Sequence, residues 1–290
     1  MHADLHCHST FSDGTLTPEA LAARARARGV TLWALTDHDE LAGVPHAQAA
    51  AQANGLDFLT GVEISVSFAR TSVHIVGLGF DLAHPGLQQG LQALRDSRGP
   101  RAQEMGRQLE AVGIPGAYEG ALSYAGNPAL IARTHFARFL VDRGFCKDTY
   151  SVFKNYLIEG KPGYVPQRWA SLQDAVGWIT DAGGVAIIAH PARHDLTPNE
   201  EYAMFSSFKA AGGQGVEVVT GSHSPHEYPK YADMARTWGL ATSRGSDFHS
   251  PHESKVDLGG LPADPAGLPR VWDLLQSRIV RAPHNPPTAH

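Results

Sequence analysis

An α/β fold carrying a helical insertion follows from three observations. Short apolar runs alternate with stretches of helical spacing over residues 3–80. The same alternation resumes after residue 170 and continues to about 276. Between them, from 85 to 166, the spacing is helical and β-branched runs are few. Alternating strand and helix signals favour a mostly parallel sheet or barrel. We therefore expect a body built from residues 1–84 and 167–290, interrupted by a helical insertion over 85–166.

Each element has a local reason. Residues 3–8 read as the first strand. Thr17 is a good N-cap, and Pro18 suits the first helical position, so a helix is expected over 20–28, ending at Gly29. The apolar run 31–36 reads as a strand, and 42–54 as a helix closed by Gly55. Residues 58–68 and 73–80 are strand-like. In the insertion, helices are expected over 87–112, 134–143 and 149–158. Helix and strand then alternate: helix 172–182, strand 184–190, helix 199–211, strand 215–220, helix 228–238, strand 240–246 and helix 266–276. A short last strand is expected over 277–281, and a disordered tail from 283.

Composition excludes several classes. The two cysteines, Cys7 and Cys146, cannot make a disulfide framework, which points to the cytoplasm. No apolar run is long enough to span a bilayer, and the start of the chain lacks the basic and apolar regions of a signal peptide. A formal net charge of -5 argues against coating duplex DNA. The charge is uneven: residues 85–168 hold 11 Lys and Arg against 7 Asp and Glu, while the remainder holds 13 against 22. An acidic body suits cations, and a mildly basic insertion suits an anionic substrate.

The chemistry is concentrated in three islands that follow apolar runs: His6-Cys7-His8, Thr36-Asp37-His38-Asp39 and Ser246-Asp247-Phe248-His249. In a strand the side-chain period is two, so His6 and His8 share a side while Cys7 faces away. With Asp13, Glu63, His74 and His190, the islands supply nine ligand-type residues: His6, His8, Asp13, His38, Glu63, His74, His190, Asp247 and His249. That exceeds the need of one tetrahedral zinc and suits two or three divalent ions bridged by a carboxylate. Such a centre lowers the pKa of water and clamps the oxygens of an in-line displacement. Mixed imidazole and carboxylate donors fit Mn²⁺, Zn²⁺ or Fe²⁺.

These islands, with Ser12-Asp13-Gly14, Gly61-Val62-Glu63, Val73-His74-Ile75 and Ala189-His190-Pro191, resemble in order and spacing the motifs of the PHP (polymerase and histidinol phosphatase) superfamily. The resemblance implies a distorted seven-stranded (β/α) barrel with a trinuclear metal centre, Mn²⁺ being the favoured ion. It assigns His6, His8, Glu63 and Asp247 to one ion, Asp13, His38 and His249 to a second, and Glu63, His74 and His190 to a third. Finer motifs, 131–138, 160–165 and Gly221-Ser222-His223, are similar to those of nucleoside 3′,5′-bisphosphate phosphatases and an overlapping subgroup of 5′-to-3′ exoribonucleases. The first two fall in or beside the insertion, which would cap the metal site. The implied activity is removal of a 3′-phosphate from a small nucleotide. The alternatives are degradation of short RNA, hydrolysis of another phosphomonoester such as histidinol phosphate, and a non-catalytic scaffold.

Substrate contacts are expected from Arg133, His135, Arg138, Lys161, Arg193 and His223, because Arg binds phosphate as a rigid fork and Lys161 sits in a glycine-flanked loop. Asp13, His38, Glu63 and His223 are the catalytic candidates, His223 as a proton donor. Asp37 is expected to orient a ligand, and Glu217 to face inward. Arg24, Arg26 and Arg28 read as a solvated helix, Cys7 as packing, and Trp33 and Trp178 as core. Thr134 and Arg138 share a helical face.

Overall fold

The computed structural model describes residues 1–167 and 169–283. Three parallel strands form the first sheet, β1 (Ala3–Asp4), β2 (Leu32–Ala34) and β3 (Asp57–Leu59). Helices α1 (Pro18–Ala27) and α2 (Gly43–Ala53) make the connections, α1 with the Thr17 cap and α2 closing at Gly55 (φ 68°). A second sheet runs β4 (Gly61–Phe68), β5 (Thr71–Leu78), β6 (Val185–Ile188), β7 (Gly215–Thr220) and β8 (Ala241–Gly245).

The second sheet is mixed. β4, β5 and β6 are antiparallel neighbours, whereas β6, β7 and β8 are parallel. The sequence expectation of a mostly parallel arrangement fails at β4–β5 because only Ala69 and Arg70 separate them, too few for a crossover. The described residues hold eight strands in two sheets. Two seams connect the sheets. At one, His8 N donates to Phe248 O (2.9 Å) and Asp247 N to His6 O (2.8 Å). At the other, Asp39 N donates to Glu63 O (2.9 Å) and Glu63 N to Asp37 O (3.2 Å). Ligand-type residues therefore cluster at the places where the sheets meet.

Between β5 and β6 the chain is helical: α3 (Pro85–Ala111), α4 (Ala117–Leu122), α5 (Arg133–Asp142), α6 (Thr149–Val152) and α7 (Leu172–Asp181). Met105, Leu109, Phe136, Phe139, Leu140 and Leu157 belong to an apolar cluster made within this stretch. Leu5, Leu32, Leu59, Val76, Val185 and Ile187 join the two sheets in another. The second sheet also packs on α7, α8 (Pro198–Ala210) and α9 (Tyr228–Trp238) through Ile179, Phe205 and Ala235.

Other expectations need correction. Regular pairing in the first strand covers only Ala3–Asp4, and the run 58–68 splits at Thr60 into β3 and β4. The stretch 149–158 is α6 followed by a π-helical turn, Phe153–Leu157. The helix expected over 266–276 is reduced to α10 (Val271–Leu274). Gly267 is left-handed (φ 78°), and Pro269 O accepts from Thr242 N (2.8 Å), holding that stretch extended beside β8. The last strand is a single bridge between Val280 and Phe58. The tail expected to be disordered falls, after Pro283, outside the described residues.

Candidate metal centre

The nine ligand-type side chains converge although they arise from six segments of the chain. Glu63, fully buried on β4, lies at the middle. Its Oε1 is 2.9 Å from His74 Nδ1 and from His190 Nε2, and 3.3 Å from His6 Nε2. Its Oε2 is 2.9 Å from His38 Nδ1 and 3.3 Å from His8 Nε2. Asp247 Oδ1 approaches His6 Nε2 and His8 Nε2 at 3.6 and 3.4 Å. Asp13 Oδ1 approaches His249 Nε2 at 3.4 Å and His38 Nε2 at 3.9 Å. Four groups have donor atoms close enough to share an ion: His8, Asp13, His38 and His249; His6, Glu63 and His190; His6, His8 and Asp247; and His38, Glu63 and His74. They regroup the expected sets: His8 joins the Asp13 group, and His74 and His190 separate. Glu63 belongs to two groups.

The donor set fits divalent cations. His8 Nδ1, Asp13 Oδ1, His38 Nδ1 and Glu63 Oε2 are buried yet lack hydrogen-bond partners. His38 Nδ1 and Glu63 Oε2 lie 2.9 Å apart without hydrogen-bond alignment, as lone pairs aimed at a common point would. Orphaned buried polar atoms are costly unless something else satisfies them.

Electrostatics agree. Burial alone would raise the carboxyl of Glu63, but His74, His6 and His38 outweigh it and hold it well below the usual range. Burial opposes ionisation of Asp13 and Asp247 too, and their histidine neighbours again prevail. Burial, with His249 and His38 nearby, pushes His8 down to about 3. His249 is carried up to about 9, against burial, by Asp13. The carboxylates are thus ionised, the form in which they bind metals, whereas the proton that Asp13 holds on His249 would be displaced by an ion taking its place.

Surrounding residues fix the ligands. Glu217 Oε1 accepts from His6 Nδ1 (2.9 Å) and Oε2 from His190 N (2.8 Å). That leaves His6 Nε2 facing the cluster. Glu217 reaches inward beside an irregularity in the β7–β8 register between Glu217 and Val219. Asp37 accepts from Ser9 N, Ser9 Oγ and Ser12 Oγ at 2.6–2.7 Å, locking the loops that carry His8, Asp13 and His38. Asp39 binds Ser65 and the buried Arg98 of α3. Cys7 faces away, against Trp33 Nε1 and Ala34 O.

The expected substrate residues divide. Arg193 stands half exposed over the cluster, its Nη1 2.8 Å from Asp247 Oδ2 and 3.2 Å from Ser222 Oγ. Arg133 is partly buried over the Phe153 ring, with no carboxylate partner among the described residues. Burial lowers it, as it does Arg101, which burial and the like charges of Arg133 and Arg98 push down to about 10. His135 is buried, its Nδ1 accepting from Ala132 N (2.9 Å) and its Nε2 unpartnered. Lys161 is exposed on a turn.

Two of the expected residues have their polar atoms engaged within the chain. Arg138 gives Nε and Nη2 to Glu253 at 2.9 and 2.6 Å, so its fork is occupied. His223 has both nitrogens committed to backbone: Nδ1 lies 3.2 Å from Val218 O, and Nε2 accepts from Ala192 N (3.1 Å). It braces the turn that carries Arg193. The sequence reading missed Arg101 and also His194, whose buried ring accepts from His74 N (3.2 Å) and leaves Nδ1 unpartnered. The only sequence signal for His194 was its place four residues after His190.

The fold and a buried multi-histidine, multi-carboxylate centre define a metal-binding α/β protein. The PHP domain matches residues 4–138. The chain is 51% identical over 278 residues to the 3′,5′-nucleoside bisphosphate phosphatase of Chromobacterium violaceum, covering 96% of this chain and 98% of that protein. It is 41% identical over 273 residues to the 5′-3′ exoribonuclease Rnm of Escherichia coli, covering 93% and 92%. The solved structure of an amidohydrolase from Chromobacterium violaceum, with bound sulfate and no metal, superposes with a TM-score of 0.94 at 51% identity, covering 97% of this chain and 98% of that one. The chain belongs to the PHP family.

Proposed function

We propose that this protein is a metal-dependent phosphomonoesterase that removes the 3′-phosphate of nucleoside 3′,5′-bisphosphates, leaving nucleoside 5′-monophosphates. The observation that carries this reading is the near-full-length match to a phosphatase of that name, on a chain whose nine ligand-type residues converge. Two or three divalent ions, Mn²⁺ in the first instance, fit the donor set. Bound there, they would supply Lewis-acid polarisation of phosphoryl oxygens and activation of water. The chain's own residues do the rest. Glu63, shared by two of the groups, would hold ions on either side of its carboxylate, and Asp13 and His38 would be ligands in the neighbouring group. Arg193 reaches the cluster's edge, where it can hold a non-bridging oxygen of the reacting phosphate. Arg133 and Arg101 offer cations that no described carboxylate neutralises, suited to the second phosphate. Binding energy from that remote group then aligns the scissile one.

In this reading the described residues of 1–84 and 167–290 form the distorted barrel of the family, closed through the two seams, and 85–166 form its cap. A cytoplasmic setting is supported by two unpaired cysteines, and no described helix is long and apolar enough to cross a membrane. A small nucleotide, not duplex DNA or a membrane, is the partner.

A second reading, 5′-to-3′ degradation of short RNA, is favoured by the exoribonuclease relative. One experiment separates the two. Mn²⁺-loaded protein is given adenosine 3′,5′-bisphosphate and, separately, a 5′-phosphorylated oligoribonucleotide. Phosphate and AMP from the first with an intact oligomer support the phosphatase. Mononucleotides from the oligomer at an equal or greater rate transfer the assignment to RNA processing.

A further inference from the structure

Helix α5 meets the metal-site loops along one face. Thr134 and Arg138 stand one turn apart on it. Thr134 Oγ1 donates to Asp13 Oδ2 at 2.7 Å. The other oxygen of Asp13 is left facing His8, His38 and His249, buried and without a hydrogen-bond partner. Arg138 grips both oxygens of Glu253, and the next residue, Ser254, accepts from His249 N at 2.8 Å. One strut therefore ends on Asp13, a member of the group His8–Asp13–His38–His249, and the other on Glu253, in the loop bonded to the backbone of His249. The same helix opens with Arg133 and carries His135.

We propose that Thr134 is a positioning residue for Asp13, and that with Arg138 it makes the seating of α5 depend on an ion in this group. The inference rests on the group being a metal site, as read above. A carboxylate held at one oxygen by a hydroxyl presents the other in a fixed direction, so coordination orders less. An ion at the group immobilises Asp13 and the His249 loop, the acceptor ends of both struts. The coupling is reciprocal: whatever α5 docking adds to ion affinity, the ion adds to α5 docking. An ion in the group thereby favours the docked α5 that presents Arg133 and His135 to the nucleotide.

The test compares wild type, Thr134→Val, which keeps the shape without the hydroxyl, and Thr134→Ser, which restores it. Mn²⁺ retained per chain is measured by dialysis against graded chelator, and amide hydrogen exchange over residues 133–142 is followed with and without Mn²⁺. T134V should lose about tenfold in affinity for one ion, T134S should lose little, and exchange in α5 should slow on Mn²⁺ addition in wild type but not in T134V. Full retention by T134V with wild-type affinity overturns the proposal, as does wild-type α5 exchange that ignores Mn²⁺. If T134V fails to fold by circular dichroism, the wild-type exchange comparison decides alone. A wild type that binds no ion instead removes the metal reading itself.

Discussion

Glu217 is buried between two ligand-type histidines, and its two oxygens serve different partners, the His6 ring and the His190 backbone. Glu217→Gln keeps the size but offers only one acceptor oxygen. Metal affinity should fall by about 10–100-fold with the fold intact, as measured by metal content after chelator dialysis. Arg133→Ala removes one charge-assisted contact to the second phosphate and should raise KM by about 10–100-fold with a smaller change in kcat. Steady-state kinetics on a bisphosphate and on a nucleoside 3′-monophosphate check this, because the substrate lacking the second phosphate should show no such penalty. At this scale the nine ligand types were legible, since His-x-His on an extended strand and Asp-His after a strand carry their geometry in their spacing. Partners were not. Arg138 looked like an anion contact until Glu253, distant in sequence, was found in its fork. The backbone partners of His223, Ala192 and Val218, were equally hidden.

Strand ends show why the centre needs unusual backbone. Asp39, His190 and Asp247 have φ of 51°, 23° and 53°, in the left-handed region that non-glycine residues avoid. Such positions cost roughly 1–3 kcal/mol each. Backbone hydrogen bonds hold them: Asp39 N to Glu63 O, Asp247 N to His6 O, and His190 N to the Glu217 carboxylate. Gly245 ends β8 where a Cβ would lie 2.6 Å from His6 N. Gly245→Ala should therefore destabilise by at least about 1–3 kcal/mol and lower metal content as the seam is pushed apart, visible as a lower urea midpoint. Helices α1, α2 and α9 were legible from caps, glycine stops and spacing. The β4–β5 hairpin was not, because its turn, Ala69-Arg70, carries none of the usual turn residues. Nor was the shortening of α10, which depends on pairing with β8 at long range.

For the whole molecule, the centre is where the sheets meet, so its occupancy should stabilise the fold. Chelation should lower the melting temperature, and Mn²⁺ should restore it in a concentration-dependent way. One ion site at 100 times its Kd contributes about 2.7 kcal/mol. A melting temperature indifferent to chelator would mean that the cluster binds no ion in the folded state. The order of alternating elements and the helical interruption were readable from the sequence. The seam between His8 and Phe248 was not, because it joins segments more than 200 residues apart.

That long separation bears on how the protein comes into being. The first ligands, His6 and His8, leave the ribosome early, while Asp247 and His249 follow roughly 10–50 s later at ordinary rates of synthesis. Through that interval the backbone around Cys7 has Thr36 on one side but lacks Phe248 on the other, and the cation cage is only partly made. A chain stopped short of β8 would hold imidazoles and carboxylates with no closed pocket, a scavenger of stray ions rather than an enzyme. Completion of the last parallel strand is thus the event that turns a loose chelator into a defined centre.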